Sequence, residues 1–185
     1  MSVARKNNMT KLEQLLSQYA AYHLDHKNIL THFVGIPLIV FAILCLTARA
    51  GVMQSGMEIT LALVLIVVTS IYYFSLDRIF ALIMLIILIA AYPLALKIAH
   101  LELVVWLSLS IGIFVVGWVF QFVGHFYEKK KPAFTDDIIG LAIGPLFVLA
   151  ELVFMLGFRK ELEQRMLDHA RLLRAEMDVK TVNIT

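Results

Sequence analysis

Residues 59–96 read ITLALVLIVVTSIYYFSLDRIFALIMLIILIAAYPLAL, and only Asp77 and Arg78 interrupt them with charge. Crossing the hydrocarbon core of a bilayer takes about 20 apolar residues of α-helix, within a range of roughly 17–25. Two apolar runs, 59–76 and 79–96, joined by a short polar link therefore predict a tight hairpin of membrane helices. Neither run alternates as a barrel strand would, and a helix satisfies its own backbone hydrogen bonds in lipid.

Three further segments have the same character. Residues 28–48 carry no formal charge but place His32 near their start and Pro37 in their first turns. Residues 103–124 are predominantly apolar and carry no charge. Residues 138–158 differ, with Gly144-Pro145 in the body and Glu151 in the second half. An ionisable group at bilayer depth is costly and needs a cavity or a partner. The expected fold is all-α: a polytopic membrane helix bundle of four full spans plus a fifth segment, 138–158, that either spans or re-enters at a Gly-Pro break. An interfacial N-terminal helix precedes these within a membrane-embedded domain, 1–158. The tail, 159–185, has apolar residues at 162, 166, 167, 170, 172 and 173. That spacing gives a helix with one modest apolar face, expected to lie on the membrane surface or on a partner subunit.

Composition agrees. The chain has 185 residues, 61% hydrophobic and 16% charged, with mean hydropathy +0.84; soluble domains sit near 45–50% apolar and about 25% charged. The net charge of +2 and the lack of a basic stripe with interleaved aromatics argue against a nucleic-acid partner. The single cysteine, Cys45, lies in an apolar run and cannot form an intrachain disulfide. The N-terminal 27 residues are polar and helix-prone, without the apolar core of a signal peptide, so the first apolar segment is expected to direct insertion. Arg5, Lys6, Lys11 and Lys27 before the first segment and Lys129, Lys130 and Lys131 after the fourth place both on the cytoplasmic side. The basic tail keeps to that side if 138–158 re-enters. The expected location is the inner membrane of a bacterium or the endoplasmic reticulum of a eukaryote, and a homo-oligomer is compatible with it.

The chemistry concentrates at two places. Residues 22–37, YHLDHKNILTHFVGIP, hold His23, His26 and His32 of the chain's six histidines. Residues 121–134, QFVGHFYEKKKPAF, hold His125 and Glu128. Four spans separate His32 from His125, and an even number returns the chain to the same side. If the fourth helix continues, His125 and Glu128, spaced i, i+3, share a face; so can His23 and His26. Imidazoles with a carboxylate suit a first-row transition metal such as iron or zinc. Spacing chooses neither the metal nor which groups bind it and which hold the ligands' other ring nitrogens. Asn28 fits such a supporting or substrate-binding role. Tyr22 and Gln121 flank the two clusters, and Lys129–Lys131 would meet lipid head groups or a substrate carboxylate.

His23, Asn28, His32, Gly35 and Pro37 give H-x4-N-x3-H-x2-G-x-P, and Gln121, Gly124, His125, Glu128, Pro132 and Ala133 give Q-x2-G-H-x2-E-x3-P-A. Both resemble the membrane 2-hydroxy fatty acid dioxygenase family of the phytosphingosine-degradation type, formerly a domain of unknown function. The resemblance covers about residues 15–158 and leaves out the tail. It implies iron(II)-dependent α-oxidation, in which a 2-hydroxy fatty acid and dioxygen give an acid one carbon shorter. It implies His23, His32 and His125 as iron ligands; His26 joins them as a metal candidate by its placement alone, and Asn28 and Glu128, which match motif positions, are the candidate catalytic residues. A two-iron desaturase would need more histidines than the six present. A transporter, or a non-catalytic lipid- or metal-binding membrane protein, is the other alternative. Polar groups at mid-membrane on broken helices would favour a transporter, and spans two to four are almost free of them.

Overall fold

Thr10 opens the first helix with a reciprocal cap. Its hydroxyl accepts from the Glu13 N–H at 3.2 Å, and the Glu13 carboxylate accepts from the Thr10 N–H at 2.6 Å. Helix α1, Lys11–Ala20, then buries Leu12, Leu15, Leu16, Tyr19 and Ala20 on one stripe. The computed structural model describes residues 9–54, 56–129 and 139–182. Beyond α1 these form α2 (His26–Ala48), strands β1 (Gly51–Gln54) and β2 (Met57–Thr60), α3 (Leu61–Leu76), α4 (Arg78–Ala99), α5 (Leu103–Glu128), α6 (Ile139–Met155) and α7 (Lys160–Val182). Two units emerge, 1–29 with 125–185 and 30–124. Both divisions fall inside helices, α2 and α5, that run unbroken through them.

In the first unit α1 packs on both α6 and α7. Met166 and Ala170, one turn apart on α7, are fully buried. The apolar face of the tail thus meets α1 of its own chain, where the sequence led us to expect the membrane surface or a partner subunit. The face is narrow, and α1 offers a matching stripe. Helix α6 continues through Gly144-Pro145 without a break. Proline removes one helical hydrogen bond there, and the buried Ile143, Leu146, Phe147, Leu149 and Ala150 around it hold the helix together.

The second unit contains the predicted hairpin of α3 and α4, which pack on each other. Asp77 alone joins them. Its carboxylate accepts from the Ile79 and Phe80 N–H groups at 3.0 Å each, and its own N–H reaches the Tyr73 carbonyl at 2.9 Å, so it stops one helix and caps the next. The two-stranded hairpin β1–β2, paired from Gly51↔Thr60 to Gln54↔Met57, departs from the all-α expectation. Its turn places Gly56 at φ +83°, a backbone region that favours glycine. Helices α2 and α5 touch backbone to backbone. A Cβ added to Gly35 would lie 2.7 Å from the Gly117 carbonyl oxygen, and one added to Gly117 would lie 2.9 Å from the Gly35 oxygen; small residues permit such close crossings in membranes.

Among the described residues, three helices, α2, α4 and α5, are long and apolar enough to cross a membrane. Expected were four full spans. Helix α3 has only 16 residues, about 24 Å at 1.5 Å per residue, because Ile59 and Thr60 are spent in β2. Helix α6 has 17 residues. Exposed apolar side chains such as Val64, Val67, Val68 and Ile71 on α3, Leu82, Ile86 and Ile87 on α4, and Val115, Val116 and Val119 on α5 form the kind of surface a bilayer covers. The chain is a membrane protein.

Candidate metal centre

His23 lies just beyond α1. Its backbone N–H bonds the Ala20 carbonyl at 2.8 Å, and its ring stacks on Tyr19 at 4.2 Å with the planes 4° apart. The Nδ1 atom lies 2.6 Å from the Tyr19 carbonyl oxygen. A carbonyl only accepts, so Nδ1 carries the proton and donates, and Nε2 holds the lone pair that a metal needs. Burial pushes the Tyr19 phenol above its ordinary value, which keeps the stacking partner neutral.

Helix α5 does continue through Glu128, so His125 and Glu128 share a helical face in its last turn. The His125 ring meets the His23 ring edge-on, 4.9 Å between centroids. Asn28 and His32 stand one turn apart on α2, and both are fully buried. One ligand atom from each of His23, His32 and His125 lies within 4.8 Å of the others, and all three rings are buried. Three buried imidazoles this close fit a first-row divalent ion by donor chemistry, and they could hold a metal.

Glu128 is buried and fully engaged by donors. Its Oε2 accepts from the Asp25 N–H at 2.8 Å and from Asn28 Nδ2 at 3.1 Å, and its Oε1 accepts from Arg174 Nη1 at 2.7 Å. Asn28 Nδ2 also reaches the Tyr22 carbonyl at 3.3 Å. Asp25 in turn accepts from the Lys27 N–H at 2.7 Å, holding the first turn of α2. Glu128 therefore ties that turn to the end of α5, and the histidine-bearing segments meet through a carboxylate that three donors already occupy.

Other expected site residues are placed differently. His26 is exposed at the first position of α2 and is not part of the three-histidine group. Tyr22 is half-buried and offers its carbonyl to Asn28. Gln121 is buried, with its amide nitrogen packed so closely on Gly35 that a Cβ there would lie 2.2 Å away. Lys129 is exposed and adopts φ +54°, ending α5. Lys130 and Lys131 lie outside the described residues. From the sequence, Tyr19 reads as an interfacial aromatic and Arg174 and Asp25 carry no site role. Arg174 sits in a tail rich in basic residues and had no distinguishing signal. Tyr19, four residues before His23, could have been found from helical spacing.

A family model described as "2-hydroxy-palmitic acid dioxygenase Mpo1-like" matches residues 9–156. The chain is 36% identical over 156 residues to the 2-hydroxy-palmitic acid dioxygenase MPO1 of Saccharomyces cerevisiae, covering 82% of this chain and 85% of that one. No solved structure matches. The matched segment contains His23, His32, His125 and the Asn28–Glu128 pair that joins their helices, and with that the chain belongs to the Mpo1-like family.

Proposed function

We propose that this protein is an iron(II)-dependent dioxygenase that α-oxidises 2-hydroxy fatty acids to acids one carbon shorter. The carrying observation is the buried group of His23, His32 and His125 in a chain related to a protein named as a 2-hydroxy-palmitic acid dioxygenase. A balanced form of the reaction takes a 2-hydroxy acid and one dioxygen to the shortened acid, carbon dioxide and water. His23, His32 and His125 would hold the iron, which when bound lets dioxygen react with a closed-shell acid.

The protein's own groups do the positioning. The Tyr19 carbonyl fixes the His23 tautomer, leaving Nε2 as the donor atom. Glu128 and Asn28 hold the first turn of α2 against the end of α5. The basic residues Lys129–Lys131, directly after α5, supply positive charge for a substrate carboxylate at the interface, with Tyr22 just before α2 and Gln121 about two turns inside α5 as further candidate substrate contacts. A long acyl chain partitions into the bilayer and leaves its carboxylate and hydroxyl at the head-group level. The basic N-terminal arm and Lys129–Lys131 support a cytoplasmic-face site, in the endoplasmic reticulum if the source is eukaryotic.

The test is anaerobic reconstitution of the purified protein with iron(II), followed by oxygen and 2-hydroxypalmitate, with products read by mass spectrometry. The acid one carbon shorter is expected, with about one iron per chain. No such product from iron-loaded protein would refute the reading. Two irons per chain would point instead to a desaturase-like enzyme, and none to a non-catalytic lipid- or metal-binding protein.

A further inference from the structure

The C-terminal helix α7 lies beyond the family segment, which ends at residue 156, yet one of its side chains reaches the histidine site's supports. Arg174 is 17% exposed at its side chain. Its Nη1 donates to the Ala21 carbonyl at 2.7 Å and to Glu128 Oε1 at 2.7 Å, and Nη2 reaches the Glu128 carbonyl at 3.4 Å. On the outer side, Nε lies 3.8 Å from Asp178 on the same helix.

These contacts fall beside the histidine-bearing segments. Ala21 is two residues before His23. Glu128 is three residues after His125. The other oxygen of Glu128 holds Asn28, one turn before His32 on the same helix. A planar guanidinium can make these bonds together because its donors form a rigid fork, whereas a lysine ammonium supplies a point charge. We propose that Arg174 is a positioning residue: it locks Glu128 and the Ala21 carbonyl, and so sets the approach of His23, His32 and His125 for metal binding. The C-terminal helix then belongs to the metal site. This rests on the metal-site reading in the proposed function.

A purely structural role for α7 makes a different prediction. Arg165 also ties α7 to α1, bonding Glu13 at 3.2 Å and pairing with Glu161, but it touches none of the supports of the histidines. If α7 matters only as packing, losing either arginine should act alike.

The experiment compares full-length wild type, Arg174→Ala, Arg174→Lys and Arg165→Ala in lipid nanodiscs. Cobalt(II) serves as the probe, read by its visible d–d absorption and titrated for affinity, with a thermal melt on each sample. Loss of a group that supports metal ligands commonly weakens affinity about 10–100-fold. We expect Arg174→Ala to bind cobalt(II) about tenfold more weakly with an altered d–d spectrum. Arg174→Lys should bind several-fold more weakly, and Arg165→Ala as wild type. Guanidinium ion added to Arg174→Ala should restore part of the affinity. Should Arg174→Ala fail to fold, Arg174→Lys against Arg165→Ala decides alone. Wild-type affinity and spectrum in both Arg174 variants, or equal losses in Arg174→Lys and Arg165→Ala, overturn the proposal. A wild type that binds no cobalt(II) overturns it together with the metal-site reading. A wild type that binds metal but leaves 2-hydroxypalmitate unchanged, with the Arg174 effect intact, overturns only the substrate assignment.

Discussion

Replacing Glu128 with glutamine changes no volume and tests the join between α2 and α5 directly. The two carboxylate oxygens face only donors: the Asp25 N–H and Asn28 Nδ2 on one, Arg174 Nη1 on the other. Glutamine has one oxygen and one NH2, so one side must set donor against donor. If the NH2 faces Asp25 and Asn28, a fully buried amide loses its acceptor, at about 1–3 kcal/mol. If it faces Arg174, a charge-assisted bond is lost, worth about 1.5–3 kcal/mol. The partial exposure of Arg174 lets water relieve that arrangement, so the lower half of the range applies. Loss of the negative charge beside Arg174 acts in either orientation. Together the substitution should cost roughly 3 kcal/mol, near a hundredfold in the folding constant, or about 6–12 °C in melting temperature for a chain of this size. The assay is a thermal melt in detergent or nanodiscs beside Glu163→Gln. Glu163 pairs with Lys160 at an exposed site, where a shift under about 1 kcal/mol is expected. Equal melting temperatures for Glu128→Gln and wild type would refute the buried, donor-saturated account of Glu128.

Two further outcomes follow from the same geometry. His125→Ala should lose iron binding and turnover, measured by metal content and product formation, whereas His26→Ala, altering an exposed ring outside the three-histidine group, should keep both. Gly117→Ala places a methyl 2.7 Å from Ile39 Cγ1 and 2.9 Å from the Gly35 oxygen, and overpacking of this kind should cost about 1–3 kcal/mol, read as a lowered melting temperature.

Much of the helix count was legible because length and apolarity are local properties. The 59–96 stretch became α3 and α4 around Asp77, a side chain that caps within three residues of itself. The same logic overran at Ile59 and Thr60. A Gly-containing turn at 56 pairs them with β1, and strand pairing depends on a partner that apolarity does not announce. Gly144-Pro145 looked like a break, since proline is costly in an isolated helix. Packing around Ile143, Leu146 and Phe147 outweighs that cost.

At the site, sequence alone determined the chemistry on offer. Histidines cluster before the first span and after the fourth apolar run, with a carboxylate one turn from the last of them, and residue type and spacing are enough to say so. The tertiary structure decided which of them lie together. His26 and His23 are equally plausible by spacing, but the turn between α1 and α2 buries His23 against Tyr19 and leaves His26 exposed. Glu128, a candidate ligand or catalyst by residue type, has its oxygens met by donors from three distant positions, Asp25, Asn28 and Arg174. Arg174 lies 46 residues along the chain from Glu128, among several similar basic residues. Its contact with Glu128 exists only because α7 folds back on α1, and a helix face of a few scattered apolar residues does not encode its partner.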